Sequence, residues 1–286
     1  MTDATTVLDR AAALLDRLEA LLPPPPPSPE WTARAFRWRR FGARGGLEPI
    51  LHPHRIALDD LLGIDIQRAA LERNTRQFLA GQGANNALLW GARGTGKSSL
   101  VKALLTAYAE RGLRLIEITK DDLIDLPDIV ARVRARPERF VLFCDDLSFA
   151  ADAAGYPALK AALDGSLSAA SDNVLLYATS NRRHLLAEFH HENRAARVIE
   201  GEIHPGETTE EKISLSDRFG LWLSFRPFDQ ACYLNVVRHW LQRFGVASDA
   251  LAEQAALQWA LARGTRSGRT AWQFARDWAG RQHAAD

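Results

Sequence analysis

Apolar and polar residues alternate along the middle of the chain in blocks that predict strands and helices in turn. Short apolar runs of the kind found in buried strands lie at 87–90, 113–119, 140–144, 174–179 and 221–225. Longer segments with helical spacing separate them, at about 65–81, 97–111, 121–136 and 157–170. Strands that alternate with helices in this way form parallel sheets. The pattern therefore predicts an α/β fold with a five-stranded parallel sheet.

After Pro227 the pattern changes to helical spacing alone, at about 228–244, 249–263 and 270–281. No further apolar run of strand length follows, so we expect a small all-helical domain after the sheet. The sequence thus divides into three predicted regions. They are an N-terminal segment at 1–46, an α/β domain at 47–227 and a helical domain at 228–286.

The N-terminal segment begins with an amphipathic helix at 1–22, which Thr2 or Asp3 can cap. Prolines at 23–27 then end the helix and favour a stiff extended spacer. An apolar stripe on such a helix fits either a partner protein or the chain's own domain, and the spacing favours neither.

A basic and aromatic stretch follows at Trp31–Arg44, in which five arginines interleave with four aromatic residues. Arginines that contact phosphates and aromatics that stack on bases would suit single-stranded nucleic acid. The alternative is a strap whose aromatics pack on the core while its arginines remain in water. We favour the strap, because the run of charge is short.

Composition indicates an ordinary globular protein. Apolar residues make up 47% of the chain, charged residues make up 25%, and the net charge is only +1, which argues against a generally basic nucleic-acid binder. Cys144 and Cys232 form no disulfide framework or metal motif, so we expect a cytoplasmic protein. The sequence contains no apolar stretch of the roughly 18 residues that a membrane span requires, and no signal peptide is evident.

The clearest chemical signal is the segment Gly91-Ala-Arg-Gly-Thr-Gly-Lys-Ser98, which lies between a predicted strand and a predicted helix. Two glycines separated by four residues, then lysine and a hydroxyl residue, form a phosphate-binding loop. Backbone N–H groups and the helix N-terminus bind the anion, and we expect Lys97 to contact the β- and γ-phosphates while Ser98 holds Mg²⁺. The residues predicted to bind nucleotide here are Gly91, Ala92, Arg93, Gly94, Thr95, Gly96, Lys97, Ser98 and Ser99.

Polar side chains follow two of the other predicted strands. Asp145 and Asp146 come directly after the run at 140–144, and Asn181 comes shortly after the run at 174–179. Ligands of open parallel sheets bind at the carboxyl ends of the strands. We therefore expect Asp145 to hold Mg²⁺, Asp146 to polarise the attacking water, and Asn181 to position that water against the γ-phosphate.

Together these motifs resemble the AAA+ ATPase superfamily. Longer runs, at Phe143–Phe149, Tyr177–His184 and Glu211–Gly220, are similar to one bacterial family within it, known as domain of unknown function 815. The resemblance covers roughly residues 47–280. The paired aspartates also resemble, more distantly, those of bacterial replication initiators and helicase loaders.

The resemblance implies roles that spacing alone does not give. It implies that Gly63, within Leu62-Gly63-Ile64, belongs to the segment that lines the adenine. It implies that Arg218 is an arginine finger, which acts on the γ-phosphate in a neighbouring subunit of an oligomer. It also implies that Arg269 reaches the γ-phosphate from the helical lid of the same subunit. The chain departs from the common AAA+ pattern at Asp146, where a glutamate is usual, and this shorter side chain implies slow hydrolysis or hydrolysis that needs an assembled ring.

The function expected from the sequence is that of a Mg-dependent AAA+ ATPase that hydrolyses ATP to remodel or load a macromolecular partner. The partner is either an unidentified protein or DNA, and the chain is expected to form a homo-oligomer. Two alternatives remain open at this point. One is a slow or inactive hydrolase that recruits partners when ATP is bound, and the other is a DNA-binding ATPase similar to initiators and helicase loaders.

Overall fold

The structure, a computed structural model, describes residues 4–21, 28–42, 44–148, 155–163, 171–181, 197–199, 202–204 and 218–283. Its strands are β1 (Ala35–Phe41), β2 (Arg44–Pro49), β3 (Ala87–Gly91), β4 (Leu113–Ile118), β5 (Arg139–Cys144), β6 (Val174–Ser180), β7 (Arg197–Ile199), β8 (Glu202–His204) and β9 (Leu221–Phe225). Its helices are α1 (Ala4–Leu21), α2 (Asp65–Leu79), α3 (Lys97–Tyr108), α4 (Leu126–Val133), α5 (Gly155–Leu163), α6 (Gln230–Arg243), α7 (Ala250–Ala262) and α8 (Gly268–His283). Short 3₁₀ turns cover Leu58–Asp60, Ala109–Arg111 and Lys120–Asp125. In these ranges no helix is both long and apolar enough to span a membrane.

The central sheet confirms the predicted α/β class and corrects the predicted number of strands. All five predicted strands are present, and they pair in parallel in the order β4-β5-β6-β3-β9. Two further strands extend the sheet at the β4 edge. β1 pairs in parallel with β4, and β2 pairs antiparallel with β1. The sheet therefore has seven strands instead of five.

The two additional strands come from the stretch that we interpreted as a strap. β1 alternates in the manner of a half-buried strand, since Phe36 and Trp38 are buried while Arg37 and Arg39 face the surface. Two of the four aromatics therefore pack on the core as predicted, although the segment joins the sheet. Because β2 runs from residue 44 to residue 49, a domain boundary between residues 46 and 47 would divide a strand.

Helices cover both faces of the sheet and give it two apolar cores. Alternate side chains of the central strands belong to opposite cores, as Leu88 and Leu89 of β3 show. Helices α2 and α3 pack on one face, with Leu71 and Leu104 in that core. Helices α4 and α5 pack on the other face. The inner strands are apolar on both faces, as expected of strands buried in a parallel sheet.

The three helices after β9 form the predicted all-helical region. Asp229 and Asp249 cap α6 and α7, because their side chains accept hydrogen bonds from backbone N–H groups in the first turn of each helix. The Tyr233 hydroxyl on α6 donates to the carbonyl of Ala256 on α7 at 3.0 Å. Buried residues of this region, including Tyr233, belong to the same core as α2 and α3. The helical region therefore packs against the sheet domain.

Several predictions fall wholly or partly outside the described residues. The caps Thr2 and Asp3, the proline spacer at 23–27, the second half of the helix predicted at 157–170, and residues 211–217 of the run Glu211–Gly220 are outside. Helix α1 is described, and four of its apolar side chains are more than half exposed. They are Val7, Leu8, Leu14 and Leu15.

Candidate functional site

The predicted phosphate-binding loop lies between β3 and α3, at the carboxyl end of β3, which pairs with β6 on one side and β9 on the other. Gly91 begins the loop with a φ of 132°, a conformation that side chains disfavour. A Cβ atom at this position would overlap the carbonyl oxygen of Phe225 on β9. The Ala92 N–H donates to that same oxygen at 3.1 Å. Glycine at position 91 therefore lets the loop leave the sheet while it stays bonded to the neighbouring strand.

We predict that Gly91→Ala lowers the free energy of unfolding by about 2 kcal/mol or more, because alanine would add both backbone strain and overlap with Phe225. The matched control is Gly83→Ala, since a Cβ atom at Gly83 has open space around it. We expect that control to be neutral or slightly stabilising. Urea unfolding of the two variants measures the difference. Equal stabilities would contradict this account of the loop.

Lys97, the first residue of α3, is buried, with 6% of the residue exposed. Its ammonium donates to the carbonyl oxygens of Gly91 at 2.8 Å and Ala92 at 2.7 Å, and to Oδ1 of Asn181 at 3.2 Å. Burial lowers the pKa of Lys97, and the nearby carboxylates Asp145 and Asp146 partly oppose that effect. An anion bound in the loop would therefore stabilise the charged form of Lys97.

An oxygen-rich cluster lies next to Lys97. The Ser98 hydroxyl donates to Oδ1 of Asp145 at 2.6 Å, and the Thr179 hydroxyl donates to the same oxygen at 2.6 Å. Hydroxyl and carboxylate oxygens, completed by phosphates and water, are the ligands that Mg²⁺ prefers. Ser98 and Asp145 therefore fit a magnesium ion, and Thr179 orients the Asp145 carboxylate from the neighbouring strand.

Asp146 has a backbone conformation that sets it apart. Its φ of 56° is the one positive value among the non-glycine residues of the described ranges. The Asp146 N–H donates to Oγ1 of Thr179 at 2.9 Å, and the Leu147 N–H donates to the Thr179 carbonyl at 2.7 Å. The Asn181 amide donates to Oδ1 of Asp146 at 2.6 Å. Left-handed backbone of this kind is concentrated at functional sites, and here it aims one carboxylate at Asn181.

These groups line one end of a cavity of about 900 Å³ between the sheet domain and the C-terminal helices α6 and α8. Each predicted residue from Arg93 to Ser99 lines it, as do Asp145, Asp146, Asn181 and Arg269. Gly63 is not a lining residue, but its neighbours Leu62 and Ile64 are.

The sequence did not identify several lining residues, which are His54, Arg55, Ile56, Asp60, Trp240, Trp272 and Gln273. Three of them lie on α6 and α8, and helical spacing alone gives no sign of which face of these helices meets the sheet domain.

Backbone contacts hold the helical region over the loop. The Arg269 N–H, in the first turn of α8, donates to the Gly94 carbonyl at 3.3 Å. A Cβ atom at Gly63 would overlap the sulfur of Cys232 on α6. The glycine therefore allows α6 to approach the segment that precedes α2.

Arg218 lies apart from the other predicted residues. It is half-buried, immediately before β9, and is not one of the residues that line the cavity. Because β9 is parallel to β3, Arg218 is at the amino end of the strands whereas the loop is at their carboxyl end. About 13 Å of strand separates the two edges, at about 3.3 Å per residue.

The arginines of β1 are neutralised by nearby carboxylates. Arg37 contacts Glu117 at 3.0 Å and Arg39 contacts Glu48 at 2.6 Å. Arg40 contacts Asp125 at 2.7 Å, and that contact raises the pKa of Arg40. Paired arginines are weaker ligands for phosphate than free ones. The ion pairs of β1 therefore support a structural role for this segment over the nucleic-acid interpretation.

Solved structures share this fold at low sequence identity. The FIGL-1 AAA domain in complex with ADP is 17% identical, with 78% of this chain and 73% of that chain covered and a TM-score of 0.52. The Aeropyrum pernix ORC1 protein in complex with DNA is 15% identical, with 79% and 62% covered and a TM-score of 0.55. A point mutant of Thermotoga maritima RuvB is 18% identical, with 77% and 64% covered and a TM-score of 0.52.

This chain therefore spans less than two thirds of the RuvB and ORC1 chains. No curated protein matches this chain. At these identities the solved structures establish the fold alone.

One protein family matches most of the chain. The family described as "Protein of unknown function (DUF815)" matches residues 31–282, which include the seven-stranded sheet and the three C-terminal helices. The chain therefore belongs to this family, and its fold is that of the AAA+ ATPases.

Proposed function

We propose that this chain binds Mg-ATP in the cavity and hydrolyses it to remodel or load a macromolecular partner. The observation that carries the proposal is the convergence of Lys97, Ser98, Asp145, Asp146 and Asn181 within hydrogen-bonding distance at one end of the cavity. When bound there, Mg²⁺ would neutralise phosphate charge. Asp146 would accept the proton of the attacking water while Asn181 orients that water.

The remaining parts of the cavity would hold the rest of the nucleotide. Apolar residues near Gly63, among them Leu62 and Ile64, would contact the base. Arg93 and Arg269 line the same cavity and would contact the phosphates. The helical region would then act as a lid that closes over the nucleotide.

We also propose that the active form is a homo-oligomer. Arg218 is at the edge of the sheet opposite to the loop, so it does not reach the nucleotide of its own subunit without a large rearrangement. An arginine that completes a neighbour's site would explain this position. The partner in remodelling is an unidentified protein or DNA, and the ion pairs of β1 argue against DNA binding on that surface. A cytoplasmic location is likewise proposed, consistent with the free thiols Cys144 and Cys232.

A second candidate is a recruiting module that binds ATP and hydrolyses it slowly. The observation in its favour is the 2.6 Å hydrogen bond that Asn181 donates to Asp146, which engages the carboxylate that a water would need. Retention of ATP-dependent partner binding in Asp146→Asn would support this candidate.

Nucleotide binding tests the proposal. We expect Lys97→Ala to weaken Mg-ATP binding by about a hundredfold or more, because the variant loses two charge-assisted hydrogen bonds of about 1.5–3 kcal/mol each. Isothermal titration of ATP into the wild type and the variant measures the effect. A matched control is Lys102→Ala, on the same helix, whose half-buried side chain lies beside Glu117 and does not line the cavity. Equal affinities of Lys97→Ala and Lys102→Ala would contradict the proposal.

A further inference from the structure

One carboxylate of the sheet domain contacts two side chains of the lid, an arginine and a histidine. Asp60 ends the 3₁₀ turn Leu58–Asp60, shortly before Gly63. Its Oδ1 lies 3.0 Å from Nε2 of His239 and 3.2 Å from Nε of Arg243, both on α6. Its Oδ2 accepts from Nη2 of Arg243 at 3.3 Å. We refer to this group, Asp60 with His239 and Arg243, as the lid latch.

The latch carboxylate is withdrawn from solvent, whereas its neighbour is not. The Asp60 side chain is 10% exposed and that of Asp59 is 98% exposed. A buried carboxylate is costly unless cationic groups compensate it. Here the compensating groups come from α6, so separation of α6 from the turn would leave Asp60 with the desolvation cost and without its partners. The latch therefore favours the position of the lid seen in this structure.

The latch is connected to the cavity on both sides. Asp60 is itself a lining residue, and so is Trp240, which follows His239 in α6. The His239 and Trp240 rings meet edge to face, with centroids 5.3 Å apart. Helix α6 also packs along α8, and Arg269 lies in the first turn of α8. A shift of α6 away from Asp60 would therefore move Arg269 relative to the loop.

We infer that Asp60 is a positioning residue that sets the lid angle and, through α6 and α8, places Arg269 at the γ-phosphate. This inference rests on the proposed function, since it requires ATP in the cavity. It adds a residue that neither the nucleotide-binding motifs nor the family resemblance points to. Asp60 would act at a distance from the phosphates, so its loss would affect discrimination between ATP and ADP more than binding as such.

The experiment compares ATP and ADP affinities of variants from both sides of the latch. Asp60→Asn removes the charge from the turn, and its matched control is Asp59→Asn, one residue earlier. Arg243→Gln removes the guanidinium of the latch from α6. Its control is Arg238→Gln, which breaks an ion pair with Glu253 inside the lid. Isothermal titration with Mg-ATP and Mg-ADP gives both dissociation constants, and urea unfolding identifies any variant that does not fold.

We expect Asp60→Asn and Arg243→Gln each to weaken ATP binding about tenfold, because each would cost one charge-assisted hydrogen bond between Arg269 and the γ-phosphate. ADP lacks that phosphate, so ADP binding should change by less than about threefold. Each latch variant combined with Arg269→Ala should bind ATP no more weakly than Arg269→Ala alone, because the latch acts through that arginine. The controls Asp59→Asn and Arg238→Gln should match the wild type.

Three results would overturn the inference and leave the proposed function standing. Equal losses of ATP and ADP affinity would assign the latch to stability alone. Additive losses in the combinations with Arg269→Ala would separate the latch from that arginine. Latch variants that bind like their controls, in a protein whose Lys97→Ala variant has lost ATP, would reject the latch while the proposed function stands. Absence of ATP binding in the wild type would instead reject the proposed function and the latch together.

If Asp60→Asn does not fold, Arg243→Gln and its control still give the result, because the Arg243 side chain is more than half exposed.

Discussion

Replacement of Arg218 by alanine is expected to reduce ATP turnover by about 10³–10⁵, the range typical of an arginine that stabilises charge at the γ-phosphate. The reason is its position, since Arg218 precedes β9 at the edge of the sheet opposite to the phosphate-binding loop. In the proposed oligomer it would complete the site of a neighbour. ATP affinity should change far less than turnover, because Lys97 and the loop of each subunit remain intact.

Mixing two inactive variants tests whether Arg218 acts between subunits. A Lys97→Ala subunit retains Arg218, and an Arg218→Ala subunit retains its nucleotide site. A mixture of the two should therefore recover part of the wild-type turnover, whereas neither variant alone should be active. Arg226→Ala, just after β9, is a suitable control and should behave as the wild type. An Arg218→Ala variant with unchanged turnover would contradict the proposed role.

Asp146→Asn is expected to reduce turnover by about 10²–10⁴, the usual contribution of a general base, while Mg-ATP affinity stays within about threefold. Asparagine is a suitable replacement because it tolerates the left-handed backbone at this position. Its Oδ1 can also still accept the hydrogen bond from Asn181. The substitution therefore removes the proton acceptor and leaves the geometry of the site in place.

The neighbouring aspartate is the natural comparison. Asp145→Asn should weaken binding of Mg-ATP relative to ATP without magnesium, because the variant loses the carboxylate that would hold Mg²⁺ together with Ser98. In the structure, Oδ1 of that carboxylate accepts hydrogen bonds from Ser98 and Thr179. Steady-state turnover and binding titrations with and without Mg²⁺ measure both effects. A turnover of Asp146→Asn close to that of the wild type would exclude Asp146 as the base.

Much of the fold follows from local sequence. The runs at 140–144 and 174–179 are apolar on both faces, and only strands buried within a sheet have that composition over so short a length. The strand β1 was not predicted, because its many arginines are paired with residues distant in sequence, such as Glu117 and Asp125. Local patterns do not contain such pairings.

The candidate site, like the fold, could be predicted only in part from the sequence. Lys97, Ser98, Asp145 and Asn181 each follow or open a regular element, so the rule that carboxyl ends of parallel strands meet at one edge brings them together. Trp240, Trp272 and Asp60 depend on how the lid packs against the sheet domain, and periodicity within each helix carries no information on that packing. The positive φ of Asp146 likewise depends on Thr179 of the neighbouring strand.

We propose above all that this chain hydrolyses Mg-ATP at a site that two subunits share. Steady-state ATP turnover per subunit, measured over a wide range of protein concentration, tests it most directly, with Lys97→Ala as the blank. We predict Mg-dependent turnover that rises steeply as the protein assembles and then reaches a plateau. Turnover that stays at the level of the Lys97→Ala blank at every concentration, despite tight ATP binding, would contradict the claim.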